Sequence, residues 1–409
     1  MTMDVAIITS HMSFKEHGGA NYSRHLLAQQ LEARGHDVTV YTLNFADENH
    51  VPIPHDYALE EIRVDGTRTA VGATAKFMRH LRRVFAENDI VHAYVPLAIP
   101  LCSMYRVLAR DDTPLVGTLN GYTLFCTNTA RMGDGCWKNC GLRENITHSR
   151  LPPDGSFTPL NLPRMVFNQT LMDRLTSRVD ALMALSPATR DVHAEVGIDD
   201  EIIDVVPNMV DPRFDSTPEI VADGSGPVRI LYVGRVDAMK NVDDLIEGLA
   251  LLDGDGDDWE AHIVGDNVLG FGEPLEYYAD LAADRGVGDR VTFHGWVDYT
   301  ELGEHYAAAD VFVHPAHWPE PFGRTIIEAM QHGLPVVCSD VGAPPWVADS
   351  ACETFAPGDT VGLAGVLESL VDSPERRAAM AANCEIELVR FDHDRVTDRI
   401  EGIYQEVSA

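Results

Sequence analysis

The sequence predicts an α/β fold with two tandem Rossmann-like domains, each a doubly wound parallel sheet. The chain has 409 residues, more than the roughly 100–200 of an ordinary single domain. Short apolar runs alternate with helical stretches in two successive series, the pattern of buried parallel strands joined by helices. Between the series, at 207–227, lies a stretch rich in Pro, Asp, Gly and Ser that has the composition of a linker.

The first series opens as one β-α-β unit. An apolar run at 5–8 precedes a loop that ends at Gly18 and Gly19. Helical apolar spacing follows at 22–31, and then the strand-like run VTVYT. In such sheets ligands bind at the carboxyl ends of the strands, so we expect the two domains to face a ligand cleft. Further strands are predicted at 90–94, 115–119, 181–185, 202–206, 228–233, 261–264, 290–294, 310–313 and 335–338.

Composition indicates a globular protein and excludes one class of partner. Apolar residues make up 45% and charged residues 23% of the chain. The net charge of −33 repels nucleic-acid phosphates. Only four of the cations are lysines, and such a surface suits molar salt, where the Debye length is about 3 Å. We therefore expect a halophilic archaeal protein. Since membrane-spanning runs and signal-peptide features are lacking, we expect it in the cytoplasm.

The strongest motif is HPAHWPEPFGRTIIEAMQHGLPVV at 314–337. It follows a predicted strand and turns into a helix near Gly323. The first amides of a helix have no partner within it and, with the helix dipole, form an anion site. Glu320 and Glu328 lie on either side of this helix start and could accept hydrogen bonds from sugar hydroxyls. The alternative is two ordinary carboxylates of an acidic protein. The amides expected to bind the anion belong to Phe322, Gly323, Arg324 and Thr325.

Two further features suit a diphosphate ligand. Arg235 and Lys240 follow the first strand of the second series and could neutralise a diphosphate without a metal. Two surface cations are the alternative, but the scarcity of lysine favours a functional role. Gly18 and Gly19 permit close approach of the backbone to a ligand, although a pair of glycines is more often only a turn.

Taken together, these motifs resemble the retaining glycosyltransferases of family 4, which have the two-domain GT-B fold. The resemblance covers nearly the whole chain. It rests on the glutamate pair in the context EPFG, EAM and GLPVV, on the glycine pair in HGGANYSRHLLAQQLEARGHDVTVYT, on YVGRVDAMKNVDDLIEGL, and on VVPNMVD as the hinge. These motifs are specific for the fold and for nucleotide-sugar use, and weak for the identity of either substrate.

The resemblance implies transfer of a hexosyl group from a nucleotide diphosphate sugar to a glycan or lipid-linked acceptor. Retention by front-face displacement needs no enzyme nucleophile, and no cofactor is implied. Residues 1–207, completed by a helix at 393–409, would bind the acceptor, and residues 208–392 the donor. Domain closure would exclude water. The residues assigned to catalysis are Glu320, Arg235, Lys240 and Asn120, and those assigned to the donor are Gly18, Gly19, Arg235, Lys240, Phe322, Gly323, Arg324, Thr325 and Glu328.

Two positions depart from the family pattern. Asn120 stands where relatives often carry a histidine near the reacting sugar, and an amide can orient a hydroxyl but cannot exchange a proton near neutrality. Pro345 replaces an acidic residue that relatives often have. These departures keep open the alternative of a catalytically silent subunit that binds a partner transferase. A nucleotide-sugar epimerase of the same architecture is a separate alternative.

Two clusters have the residue types of metal sites. Cys126, Cys136 and Cys140, with His148, could ligate zinc, but their spacing is not that of a standard zinc motif and free thiols are the better interpretation. The run DGDGDD at 253–258 lacks the closing glutamate of a calcium loop and is interpreted as a solvated acidic turn.

Residues 74–87, TAKFMRHLRRVFAE, are predicted to form a basic amphipathic helix. Such a helix either binds an anionic membrane surface or covers the sheet with its apolar face in the core. Membrane binding would make the protein peripheral on the inner face of the cell membrane. The apolar face consists of Phe77, Leu81, Val84 and Phe85, and the basic residues are Lys76, Arg79, Arg82 and Arg83.

Overall fold

The computed structural model describes residues 2–9, 18–44, 55–63, 70–96, 98–126, 132, 135–139, 176, 178–214, 226–237, 239–252, 258–267 and 273–409. The chain divides into two compact units. The first unit is Met1–Met209 with His393–Ala409, and the second is Val210–Asp392. Each unit contains one parallel sheet with helices, so the predicted α/β fold with two Rossmann-like domains is confirmed.

The first unit is built on a seven-stranded sheet of order β3-β2-β1-β4-β5-β6-β7, all parallel. The strands are β1 (Asp4–Thr9), β2 (Asp37–Asn44), β3 (Ala58–Arg63), β4 (Ile90–Ala93), β5 (Leu115–Leu119), β6 (Ala181–Ala184) and β7 (Ile203–Val205). The helices are α1 (Gly18–Ala33), α2 (Ala70–Glu87), α3 (Ala98–Ala109), α4 (Pro187–Glu195) and the C-terminal helix (His393–Val407).

The central strands of this sheet explain its apolar sequence runs. Strand β1 pairs with both β2 and β4, with Ile7 opposite Val40 and His92. Because helices cover both faces of a parallel sheet, consecutive residues 5–9 of β1 are all buried rather than alternating. The chain order reverses between β1 and β4, which makes the carboxyl ends of these strands the switch point of the sheet.

The second unit repeats this plan with six parallel strands in the order β10-β9-β8-β11-β12-β13. The strands are β8 (Val228–Val233), β9 (Trp259–Val264), β10 (Val291–Gly295), β11 (Val311–His314), β12 (Val336–Ser339) and β13 (Cys352–Phe355). The switch point lies between β8 and β11. The helices are α5 (Val242–Leu249), α6 (Leu275–Asp284), α7 (Leu302–Ala307), α8 (Arg324–Gln331), α9 (Pro344–Ala348), α10 (Thr360–Val371) and α11 (Pro374–Leu388).

Helix α2 places its apolar face in the core of the first unit. Its four apolar side chains, at 77, 81, 84 and 85, are buried in the core cluster of the first unit. The apolar face therefore covers the sheet and is not available to a membrane, whereas Arg79, Arg82 and Arg83 are exposed. Within the described ranges, no helix is both long and apolar enough to span a bilayer.

The C-terminal helix is attached to the first unit by charged and buried contacts. The Arg34 guanidinium donates to carboxylates of Asp394, Asp398 and Glu401, at 2.9 Å for the first and last. In the interior, the Tyr404 hydroxyl lies 2.7 Å from Nδ1 of His92 on β4. Burial lowers the pKa of His92 to about 3, so this buried ring is neutral. The helix is thus part of the core of the first unit.

We predict that Arg34→Ala weakens the attachment of the C-terminal helix and lowers the free energy of unfolding by about 1–2 kcal/mol, because one guanidinium serves three carboxylates. The control is Arg399→Ala in the C-terminal helix, which removes exposed contacts to Asp204 and Glu406. It should lower the free energy of unfolding by about 0–1 kcal/mol. Urea unfolding measures both. Equal losses would contradict the assigned role of Arg34.

Candidate functional site

The second unit gathers three of the predicted site residues at its switch point. Arg235 and Lys240 follow β8, and Glu320 follows β11, the neighbouring strand. Because the carboxyl ends of parallel strands meet at one edge of the sheet, segments that are 80 residues apart in sequence come together there. The structure therefore forms one polar cluster from two separate motifs.

The centre of this cluster is an ion pair between Lys240 and Glu320. The ammonium Nζ donates to Glu320 Oε2, and the side chains are only 15% and 13% exposed. The indole Nε1–H of Trp318 donates to the same carboxylate oxygen at 2.9 Å. Lys240 Nζ also lies 5.8 Å from the centre of the Trp318 ring, within the range of a cation–π contact. Trp318 therefore holds both members of the pair.

The surroundings keep Glu320 ionised and its histidine neighbour neutral. Burial is the largest single effect and opposes ionisation of Glu320, but the neighbouring charges, chiefly that of Lys240, together with the Lys240 hydrogen bond outweigh it and place the pKa of Glu320 below its ordinary value. His314 Nε2 lies 4.0 Å from Glu320 Oε2. Burial, and next the charge of Lys240, lower the pKa of His314 to about 4. At neutral pH, the cluster thus contains a carboxylate, an ammonium and an uncharged imidazole.

Arg235 is positioned by a turn at Asp237 but remains accessible. Its Nη1 lies 3.1 Å from Asp237 Oδ2, and its side chain is 30% exposed. The other oxygen of Asp237 accepts the amides of Met239 and Lys240 at 3.0 and 3.2 Å. One buried carboxylate thereby fixes the backbone of Lys240 and orients Arg235. The exposed part of the guanidinium can contact an anionic ligand.

The loop after β12 fixes the backbone of Glu320. Gly342 has φ +72, and a Cβ added there would lie 2.5 Å from Glu320 N and 2.8 Å from Glu320 O. The amide of Ala343 donates to Glu320 O at 2.9 Å. This close approach requires glycine, because any side chain would displace the backbone that carries the catalytic candidate. Pro345 lies directly beyond, in α9.

Glu328 belongs to a different set of contacts from Glu320. It lies inside α8 with a side chain that is 1% exposed. The Tyr299 hydroxyl donates to Oε1, the Tyr306 hydroxyl donates to Oε2 at 2.9 Å, and Arg324 Nε lies 3.0 Å from Oε1. Burial raises the pKa of Glu328 above its ordinary value, although the charge of Arg324 opposes this. In this structure the predicted sugar-binding carboxylate is enclosed.

The predicted amides occupy the start of α8. Gly323 precedes the helix with φ +86, a conformation that glycine adopts without strain. Phe322 is buried against Phe391, with ring centres 5.6 Å apart, and Thr325 is half-buried. The side chain of Arg324 turns inward to Glu328, so only its backbone remains a candidate for binding an anion.

The first unit holds the remaining predicted residues at its own switch-point edge. Gly18 and Gly19 begin α1. Asn120 follows β5, and its Nδ2 donates to the carbonyl of Tyr94, which follows β4, at 2.9 Å. The sequence did not reveal Arg24, a buried residue of α1 that donates to Thr9 at the end of β1. The sequence signal that could have identified Arg24 is its position as a cation among the regularly spaced apolar residues of α1.

Part of the cysteine cluster can be placed. Cys126 is half-buried and Cys136 is exposed, whereas Cys140 and His148 lie outside the described residues. Among the residues that the structure describes, no three His, Cys, Asp or Glu side chains gather as a metal site. Residues 253–257 of the acidic run also lie outside the described residues.

Both units are doubly wound and have polar residues at their switch points, where ligands bind in such sheets. The chain matches the family model for glycosyltransferase family 4 over residues 17–214 and the model for glycosyl transferases group 1 over 215–385. It belongs to the family 4 glycosyltransferases with a GT-B fold, and the predicted resemblance is confirmed.

Several known proteins are similar to this chain. The lipopolysaccharide core biosynthesis mannosyltransferase LpsB of Rhizobium meliloti is 31% identical over 51% of this chain and 60% of its own length. The alpha-D-kanosaminyltransferase of Streptomyces kanamyceticus is 31% identical over 44% of this chain and 45% of its own length. The chain thus matches only about half of these relatives. The crystal structure of Anabaena Alr3699/HepE in complex with UDP-glucose has a TM-score of 0.70 at 21% identity and covers 99% of this chain and 100% of that chain, a likeness in fold.

We predict that Gly342→Ala lowers the free energy of unfolding by about 1–3 kcal/mol more than Gly333→Ala does, because the new methyl group would overlap the backbone of Glu320. Gly333 is a matched control, since its φ of +70 is nearly that of Gly342 and a Cβ there meets nothing within 4 Å. Urea denaturation of both variants separates steric overlap from backbone strain. If the two losses are equal, Gly342 does not position Glu320.

Proposed function

We propose that this chain is a retaining hexosyltransferase that uses a nucleotide diphosphate sugar and transfers the hexosyl group to a glycan or lipid-linked acceptor. The observation that carries the proposal is the cluster of Arg235, Lys240 and Glu320 at the switch point of the second unit. Two cations held together in a chain of net charge −33 suit a diphosphate ligand. The UDP-glucose bound to Anabaena HepE, a protein of the same fold, supports a nucleotide sugar as donor.

In this proposal, the second unit binds the donor. The exposed part of Arg235 and the ammonium of Lys240 contact the two phosphates, and the amides of residues 322–325 at the start of α8 add hydrogen-bond donors. As the bond from the sugar to phosphate breaks, negative charge grows on the leaving diphosphate. These prepositioned donors stabilise that charge more in the transition state than in the bound donor. Glu320 accepts a hydrogen bond from a hydroxyl of the transferred sugar. Glu328 accepts hydrogen bonds from the ribose hydroxyls.

The first unit presents the acceptor. Asn120, fixed by the Tyr94 carbonyl at 2.9 Å, orients the transferred sugar, and the backbone of Gly18 and Gly19 lies against the sugar or the diphosphate. The acceptor hydroxyl attacks the anomeric carbon on the face from which the phosphate leaves. Its proton passes to the departing phosphate oxygen. The anomeric configuration is thereby retained without a covalent enzyme intermediate.

Donor choice is tested by thermal shift in molar KCl with UDP, GDP and ADP sugars, because a ligand that binds only the native state raises the unfolding temperature. Product analysis then identifies the reaction. Transfer to an added acceptor with retained configuration supports the proposal. Conversion of the donor to an isomer without acceptor indicates an epimerase, and binding without turnover indicates a silent subunit.

We predict that Lys240→Ala and Glu328→Ala each lower kcat/KM of sugar transfer by about 10²–10³-fold, because each removes a charged contact to the donor in a buried site. Lys138→Ala, at an exposed lysine paired with Glu195, is the control and should retain full activity. Initial rates measured on chains shown to be folded provide the comparison. Near-normal rates in both site variants contradict the assignments.

We also propose that the exposed arginines of α2 bind an anionic membrane surface on which a lipid-linked acceptor resides. The contact is electrostatic, since the apolar face of α2 lies in the core. We predict that the triple variant Arg79→Glu, Arg82→Glu and Arg83→Glu co-sediments with anionic vesicles at least about tenfold less than the wild type, because each arginine near such a surface contributes about 1 kcal/mol.

The matched control for membrane binding reverses three exposed arginines elsewhere on the chain, Arg285, Arg376 and Arg399. It has the same net charge as the α2 variant, so it accounts for general repulsion from the vesicles. The membrane proposal is wrong if both triple variants lose the same fraction of bound protein, or if the wild type does not sediment at all.

A further inference from the structure

The enclosure of Glu328 raises a question about access. Its carboxylate is 1% exposed, and three donors from Tyr299, Tyr306 and Arg324 already occupy it. A carboxylate oxygen has two lone pairs, and Oε1 already accepts from Tyr299 and Arg324, so a ribose hydroxyl can bind Oε1 only if one of these two gives way. The partner that yields would set part of the affinity for the nucleotide, an inference that rests on the donor role proposed for Glu328.

Two of the three partners are fixed. Tyr306 is fully buried in α7, and its ring stacks on His332 at 5.2 Å between ring centres. Arg324 is also buried, and its guanidinium lies between two carboxylates, with Nη2 3.6 Å from Asp211 Oδ2. Moving Arg324 would separate a buried cation from both anions, which is costly in a low-dielectric interior.

Tyr299 differs from these two partners in its position. It lies between β10 and α7, outside any helix or strand, and is partly exposed. The guanidinium of Arg213 lies over its ring at 4.3 Å from the centre. The side chain is therefore ordered by contacts at the surface of the unit, while its hydroxyl reaches Glu328 inside.

The Tyr299 hydroxyl also has a second acceptor within reach. Its oxygen lies 3.2 Å from Asp211 Oδ2 while it donates to Glu328 Oε1. A hydroxyl carries one proton, so it can donate to only one of the two carboxylates at a time. Asp211 is held in place, because its amide donates to Gln331 Oε1 at 3.1 Å and its carbonyl accepts from Gln331 Nε2 at 2.9 Å.

We propose that Tyr299 is a displaceable cap on Glu328: when a ribose hydroxyl of the donor binds Glu328 Oε1, the Tyr299 hydroxyl moves its hydrogen bond to Asp211. While no donor is bound, the cap gives Oε1 a second hydrogen bond beside that of Arg324, so no acceptor site on this buried oxygen is left unfilled. The exchange replaces one charged acceptor by another, so its net cost is small. Tyr299 is thus a positioning residue that competes with the nucleotide.

Calorimetric titration with UDP tests this competition. Tyr299→Phe removes the competing donor and should lower the Kd for UDP by about 3–10-fold, a part of what a hydrogen bond to a charged group contributes. If Tyr299 only supports the structure of the site, Tyr299→Phe should instead weaken binding of UDP. Tyr306→Phe is the matched control, since Tyr306 donates to the other oxygen of Glu328 from a fixed position, and it should not tighten binding.

A second ligand distinguishes loss of the cap from a general change in the site, which would alter the Kd of both ligands. The dideoxyribose analogue of UDP has no ribose hydroxyls to displace the cap. Tyr299→Phe should therefore leave its Kd unchanged while it tightens binding of UDP. Asp211→Asn should have the opposite effect on the affinity for UDP. An amide is a weaker acceptor than a carboxylate, so the Tyr299 hydroxyl stays on Glu328 and UDP should bind more weakly.

The outcomes separate this inference from the proposed function. If the wild type binds UDP but Tyr299→Phe binds it equally or more weakly, or tightens UDP and its analogue alike, Tyr299 is not a cap and the proposed function stands. If the wild type binds none of UDP, GDP and ADP, the proposed function fails and this inference fails with it. If Tyr299→Phe does not fold, unchanged or tighter binding by Asp211→Asn overturns the inference.

Discussion

The ion pair of Lys240 and Glu320 is the interaction on which the site depends. Bringing two charges out of water is costly, and the cost is offset only when geometry and further hydrogen bonds are good. Trp318 donates to the carboxylate, Asp237 fixes the lysine backbone, and the Gly342 loop fixes the glutamate backbone. Both charges are therefore held in place before any ligand arrives, which is the condition for effective electrostatic stabilisation of a leaving group.

Two glutamates of one motif have opposite electrostatic properties. The pKa of Glu320 lies below its ordinary value and that of Glu328 above it, although burial raises both. The difference is in the partners. Glu320 has its own ammonium, whereas Glu328 shares the cation of Arg324 with Asp211 and is otherwise bonded to uncharged phenols. Sequence spacing alone cannot give this difference, because the partners are contributed by distant segments.

The sequence predicted most of the strands, including the edge strands β7 and β10, but not the edge strands β3 and β13. Buried strands such as β1 are continuous apolar runs, whereas the edge strands β3 (ALEEIR) and β13 (CETF) carry polar residues because they are covered less. In the site, Arg235, Lys240 and Glu320 were predictable because they follow strands in recognisable motifs. Tyr299 was not, since it lies 29 residues from Glu328 in a segment without periodicity.

The chain passes from the first unit into the second and returns, so the second unit is an insertion within the first. His92 meets Tyr404 across 312 residues of sequence. During synthesis on the ribosome, the sheet of the first unit emerges early but lacks this helix until all of residues 210–392 have been made. The second unit, by contrast, is contiguous and can fold as it emerges. The first unit is therefore synthesised first but completed last. Until then it exposes the apolar surface that the C-terminal helix covers in the finished protein.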